Sequence, residues 1–472
     1  MNNKITLGLL SIIIVLFIIF GFNINLNHFI QGHEGHAGPH MLAVALNGLN
    51  NNDANMFFDE KFLSLNGVET FSIYNHHPKL FFYLIAKILS FFSYKFYLPV
   101  AYNLALIFNL TGVFVFYYTV KKYTEDTWYS FFLILCLLGV SNVSELLNLS
   151  TLDSLSILSC CLLFNFMISF EKINSIKLLL GWSLVIIVLL NISWYNHLIL
   201  YMFGLVKFIS YLKNKLLFNS LLKYKIIIFY VAGCSTLYII FSIFKQNSLF
   251  EINNVISGSG SAAKGFANYN INRFDLVTSL KGLVIYFIKS TPFFFLFIYL
   301  KETIFHSLKI NFPNNLKDTI LAFSLAVLLF FSMDLRWNII HNFLALYIVP
   351  FGLISFVLMS KNNIKITYLY FVIQLCVTIL ITVYYFNLDI KESNSNKIIF
   401  DSLTELDIKK EKYFLYIQGK SISELNDDEI PENFNKGRLF YLASMPFSKG
   451  ISDSIIEGST IIIHKNGTFT KK

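Results

Sequence analysis

Apolar runs of bilayer-spanning length recur along this chain, and they restrict it to a membrane fold before any motif is read. The first covers residues 5–23. Others follow at 99–120, 128–143, 146–170, 176–193, 197–212, 226–244, 283–300, 319–333, 342–359 and 366–386. A helix needs about 20 mainly apolar residues to cross the hydrocarbon core. Only 14% of the 472 residues are charged and 55% are hydrophobic, with a mean hydropathy of +0.60. A soluble chain carries about 25% charged residues, so one aqueous core cannot hide this much apolar surface. The expectation is an all-α polytopic membrane protein with about eleven transmembrane helices.

The charges orient the runs. With residues 1–4 on the cytoplasmic side, the inside loops hold Lys121/Lys122, Lys172/Lys177, Lys213/Lys215/Lys223/Lys225, Lys301/Lys309/Lys317 and Lys361/Lys365. The short gaps 141–145 and 194–196 on the other side hold no Lys or Arg. This is the positive-inside pattern, and it gives an inner (cytoplasmic) membrane protein with its N-terminus inside and its C-terminus outside. The first run has no small-residue cleavage site after it and reads as a retained helix. The net charge of +9 follows from these loops and does not point to nucleic acid. The five Cys (Cys136, Cys160, Cys161, Cys234, Cys376) lie inside apolar runs, without metal-ligand or disulfide spacing.

Three segments exceed a connector, and all three fall outside. Within a transmembrane domain at 1–386, the first outer loop covers 24–98 and includes an amphipathic stretch, 79–95, expected as an interfacial helix. A second outer loop, 245–281, contains Ser257-Gly258-Ser259-Gly260-Ser261, the composition of a mobile lid. The third is a tail at 387–472. Its strand-like runs at 413–417, 439–443 and 459–464 and a Lys465-Asn466-Gly467 turn point to a small extracytoplasmic α/β appendage.

The chemistry concentrates in the first outer loop, which holds six of the ten His: His28, His33, His36, His40, His76 and His77. In Gly32-His33-Glu34-Gly35-His36-Ala37-Gly38-Pro39-His40, a carboxylate sits near the membrane surface between imidazoles and small residues. Glu34 is placed there for general-base work. A hydrated polar loop in which it does nothing is the plain alternative. His33, His36 and His40 have a spacing that would suit a divalent metal on one helical face, although Pro39 argues against a helix through all three. Tyr74-Asn75-His76-His77-Pro78-Lys79 precedes the interfacial stretch, where free helix N–H groups and two imidazoles can meet an anion; a simple capping turn reads as well.

Arg is scarce: Arg273, Arg336 and Arg438 are the three among 37 Lys and Arg, and all three map outside. Arg offers a fork of donors that suits phosphate. Arg336 stands in Met333-Asp334-Leu335-Arg336-Trp337-Asn338 with His341 just beyond, as a phosphate ligand or as an interfacial anchor paired with Asp334. Arg273, beside the Gly/Ser segment, is a weaker candidate of the same kind. Asp153 lies in the run 146–170, and an ionisable group at membrane depth is a functional candidate.

Taken in order, these positions resemble the GT-C superfamily of membrane glycosyltransferases, of the protein O-mannosyltransferase and aminoarabinose transferase type. In the first of those branches the first outer loop opens with Asp-Glu-x-His-x-Gly. Here His33-Glu34-Gly35-His36-Ala37-Gly38 matches the Glu, the His and the Gly, with His33 in place of the Asp. Met41-Leu42-Ala43-Val44-Ala45-Leu46-Asn47 is similar to the helix that follows in bacterial relatives. His76-His77-Pro78-Lys79-Leu80 resembles their His-Pro-Pro-Leu segment. Asp153 and the stretch 336–350 with His341 resemble an Asp of the fourth helix and a late Arg/His segment. The resemblance covers about 1–360. It implies transfer of a sugar from a polyprenyl-phosphate carrier to a lipid, glycan or protein acceptor outside the membrane, with inversion and with Glu34 as base. His33, His36, His76, His77, Arg336, His341, Arg273 and Asp153 would bind substrate or phosphate. No cofactor is certain, and a divalent metal is possible. The competing expectations are a flippase or transporter of lipid-linked glycan, and a polysaccharide polymerase or ligase.

Overall fold

The structure is a computed structural model. It describes residues 11, 42–47, 58–63, 69–73, 80–92, 96–124, 155–213, 222–248, 318–319, 321–323, 325–326, 329, 376, 413–416, 425, 429–430, 448–452, 455, 460–464 and 469–471. Most of them are helical. The helices are α1 (Leu80–Leu89), α2 (Tyr97–Thr124), α3 (Ser156–Ser169), α4 (Ile176–Leu190), α5 (Trp194–Lys213) and α6 (Leu222–Ser248). The helices α2 to α6 fall on five of the apolar runs. Among the described residues, no helix is long and apolar enough to cross a membrane. The 14 and 15 residues of α3 and α4 rise about 1.5 Å each, short of a core about 30 Å thick.

The helices pack α2 against α3, α4 against α6, and α3 against α5. A Cβ on Gly112 of α2 would stand 2.8 Å from the Leu158 backbone nitrogen, so the absence of a side chain lets the two backbones approach closely. Asn165 of α3 reinforces this crossing by donating to Thr119 Oγ1 at 2.6 Å. Beyond it lies an aromatic core. Phe166 meets Phe170 and Trp182 at centroid distances of 5.6 and 5.3 Å, and Phe170 meets Phe203 and Phe229 at 5.3 and 5.8 Å. Offset and edge contacts of this kind add about 0.5–1.5 kcal/mol each beyond burial. Four helices, α3 to α6, thus share one buried centre.

The outward faces are as apolar as the inward ones. On α4, Leu179, Ile186, Leu189 and Leu190 are buried, yet Leu180 and Leu184 are 63% and 65% exposed. On α6, Ile228, Ala232 and Ile239 are buried while Leu237 and Phe241 are 67% and 69% exposed. A water-facing helix puts polar groups on that side; contiguous apolar patches of this extent mark a surface that something apolar covers.

The strands form one six-stranded sheet from two distant parts of the chain. The strands β1 (Phe58–Leu63) and β2 (Glu69–Ile73) come from the segment 24–98. From the tail come β3 (Tyr413–Tyr416), β4 (Ser448–Ser452), β5 (Thr460–Ile463) and β6 (Phe469–Lys471). The order is β2-β1-β4-β3-β5-β6. Two antiparallel hairpins, β1–β2 and β5–β6, flank the parallel strands β4 and β3. Both β3 and β5 fall on strand-like runs of the tail; the run at 439–443 and the turn expected at 465–467 lie outside the described residues.

Within the amphipathic stretch 79–95, α1 buries Phe82, Ile85, Ala86 and Leu89 and exposes Tyr83 and Leu84, with Phe91 exposed just beyond its end. Lys87 lies over the Tyr83 ring at 5.6 Å. The Ser90 hydroxyl donates to the Lys87 carbonyl at 2.7 Å and so satisfies one acceptor at the helix end.

Candidate functional site

The site residues read from the sequence, Glu34, His33, His36, His40, His76, His77, Asp153, Arg273, Arg336 and His341, all lie outside the described residues. What the structure describes is the framework next to them. Eight residues after Glu34 begins a helical stretch, 42–47, in which Leu42, Ala43, Val44, Ala45 and Leu46 are buried. Three residues before His76 ends β2, and three residues after His77 begins α1. In sequence, the motif around Glu34 thus has a described element on its C-terminal side, and the His76–His77 motif has one on each side. Among the described residues, no group of three or more His, Cys, Asp or Glu is placed to hold a metal ion.

Two polar nodes lie elsewhere among the helices, and the first closes the C-terminal end of α4. Asn191 donates from Nδ2 to the Ile187 carbonyl at 2.8 Å, and Asn196 from Nδ2 to that of Leu189 at 2.7 Å. His197 Nε2 lies 2.7 Å from the Leu190 carbonyl. A carbonyl only accepts, so Nε2 carries the proton. Its Nδ1 meets the Thr236 hydroxyl at 2.9 Å, and Tyr201 also bonds that hydroxyl. The last carbonyls of a helix have no partner within it, and here the cap residue Asn191 and the first turn of α5 supply the donors. That role accounts for Asn196 Nδ2 and His197 in the middle of an apolar sequence.

The second node is charged. Glu171, in the short turn after α3, accepts from the Tyr211 hydroxyl at 2.8 Å and from Lys225, and pairs with Lys207 at 3.0 Å. Lys207 also lies 2.8 Å from Asp318; this contact is ionic in distance but lacks hydrogen-bond alignment. Burial pushes the Glu171 carboxyl up, but the bond from Lys225, the charge of Lys207 and the bond from Tyr211 outweigh it and hold the pKa below the ordinary value. Lys225 stands over the rings of Phe170 and Tyr211 at 5.6 and 5.7 Å. Two ammonium groups and two carboxylates balance one another. The node ties the end of α3, α5, α6 and the helical residues at Asp318 into one unit, and it offers no spare charge to a ligand.

Neither node stands out in the hydropathy profile. The signal that finds the second is Lys207, a lysine inside the run 197–212, since an ionisable group within an apolar run is there for a reason. Glu171, Lys225 and Asp318 sit at run ends, where charges are ordinary.

No protein-family model matches the chain, and none of the curated proteins does. Among solved structures, it is similar to the crystal structure of ArnT from Cupriavidus metallidurans bound to undecaprenyl phosphate. The identity is 12% and the TM-score 0.49, over 93% of this chain and 69% of that one. A likeness at that level does not assign the chain to a family.

Proposed function

We propose that the chain is a multi-pass glycosyltransferase of GT-C type in the cytoplasmic membrane, moving one sugar from a polyprenyl-phosphate donor to an acceptor outside. Supporting the membrane reading are the outward apolar faces of α4 and α6, with Leu180, Leu184, Leu237 and Phe241 exposed. The observation that carries the topology is the pairing of Phe62 and Leu63 with Ile451 and Ser452. Strands that share a sheet lie on one side of a membrane. An even number of crossings must therefore separate the first outer loop from the tail, and the ten apolar runs between 99 and 386 meet that condition.

In this reading the Glu34 carboxylate takes the proton of the acceptor hydroxyl as its oxygen attacks the anomeric carbon. The bond from that carbon to the carrier phosphate breaks, and the configuration inverts. Arg336, with His76, His77 or His341, stabilises the departing phosphate, a preorganised electrostatic role worth several kcal/mol in such transfers. Asp153, Arg273, His33 and His36 complete the substrate contacts. The amphipathic stretch 79–95 holds the prenyl chain, and the Gly/Ser segment at 257–261 closes over the site.

The test is transfer of radiolabelled sugar from polyprenyl-phosphate donors to membrane acceptors, comparing wild type with Arg336→Ala at matched expression. The expected result is loss of transfer with the protein still inserted. Undiminished transfer would remove Arg336 from the phosphate site.

A further inference from the structure

The sheet joins the C-terminal tail to the segment 24–98. The β1–β2 hairpin belongs to the loop that carries Glu34 upstream and His76–His77 downstream. An isolated two-stranded hairpin is marginal in water. This one gains a third strand, β4, contributed by the tail. The strand β4 is paired on both sides at one level: Ser452 is opposite Leu63 of β1 and opposite Tyr416 of β3, and it is buried. Of the fixed elements that bound the loop motifs, the stretch 42–47 and α1 belong to the loop itself. The sheet alone depends on the tail.

Resting on the glycosyltransferase reading, we propose that β4 is a docking strand: by pairing with β1 it positions the first outer loop for transfer, so the tail is a working part of the site. The junction between β1 and β4 is short, two register pairs long. One backbone change in β4 is therefore enough to release it. Sub-ångström placement of a catalytic loop matters because a displacement of about 1 Å can cost about a hundredfold in rate.

The experiment uses the full chain in proteoliposomes with its five native cysteines replaced. Cysteines placed by Leu63→Cys and Ser452→Cys face each other across the parallel pair. Ile451→Pro, added to that chain, removes a backbone N–H from the β4 residue that stands opposite both Phe62 of β1 and Leu415 of β3 and fixes its φ. Two readouts are taken: sugar transfer, separated into kcat and donor KM, and the rate of trypsin cleavage after Lys61 in β1, which follows the open fraction of the strand. The expected result is that Ile451→Pro lowers kcat by about a hundredfold with donor KM little changed, and speeds cleavage after Lys61. Closing the disulfide then restores both, which a chain that had failed to fold does not do. Wild-type transfer in reduced Ile451→Pro would overturn the proposal and leave the glycosyltransferase reading intact. No transfer by the unmodified chain from any donor would sink that reading alone. The docking is then judged on Lys61: cleavage accelerated by Ile451→Pro and slowed again by the disulfide supports it, and unchanged cleavage overturns it.

Discussion

Lys207 holds Asp318 in an ion pair of 2.8 Å and tethers α5 to a helical stretch far along the chain. The same ammonium pairs with Glu171 at 3.0 Å, and its side chain is only 4% exposed. Breaking a buried pair by removing one partner costs about 3–5 kcal/mol, because the other charge is left uncompensated. Lys207→Met is therefore expected to lower the unfolding temperature of the detergent-solubilised protein sharply. Adding Asp318→Leu recovers much of the loss, since an apolar replacement of the whole pair is close to neutral. An unfolding temperature unmoved by Lys207→Met would show that the node does not hold these helices together.

The same node makes stability depend on pH. The Glu171 carboxyl is held below its ordinary value once Lys225, Lys207 and Tyr211 have outweighed burial. A carboxylate with a lowered folded pKa adds stability that is fully present above its unfolded value, 4.5. That stability is lost as pH falls through the folded value. Unfolding temperatures of wild type and Glu171→Gln, compared from about pH 7 down to about pH 3, should converge on the acidic side. A constant gap over the whole range would remove Glu171 from the account.

The helix crossings separate the glycines. A Cβ at Gly112 meets backbone at 2.8 Å, one at Gly204 meets the Phe229 ring at 2.8 Å, and one at Gly181 meets nothing within 4 Å. Gly112→Ala is expected to destabilise by about 1–3 kcal/mol through overpacking. Gly204→Ala costs less, since a ring yields more readily than a backbone. Gly181→Ala gains up to about 1 kcal/mol of helix propensity. Denaturation of the three variants checks the order, and a loss at Gly181 as large as at Gly112 would contradict the packing.

The five helices α2 to α6 and the strands β3 and β5 were legible because each has a local cause: apolar runs of helical length, and short runs of aromatic and β-branched residues. The β1–β2 hairpin was not, nor was its union with β4. Phe62 and Ile451 are about 390 residues apart, and local pattern carries no register over such a distance. Lys207 stands out inside its apolar run, but its partners Glu171 and Asp318 are far off in sequence, and His197 reads only as the start of that run until the end of α4 is seen to need its donor. The motif around Glu34 rests on sequence, and it lies outside the described residues.

Lipid contact is open to direct labelling. A photoactivated apolar carbene probe dissolved in the bilayer should tag α4 at Leu180 and Leu184 and α6 at Leu237 and Phe241, which are exposed, and spare the buried Phe166 and Phe203. Labelling of these faces by a charged, water-soluble probe in intact membranes would show that they meet water instead.

The most direct measurement for the account as a whole is sugar transfer by Glu34→Gln, with donor binding followed in the same preparation. The substitution keeps the side chain's size and removes its basicity. The account predicts transfer reduced by about 10²–10⁴-fold, the usual worth of a general base, with polyprenyl-phosphate donor still bound. Transfer at the wild-type rate would contradict it and move the base to another carboxylate, Asp153 first.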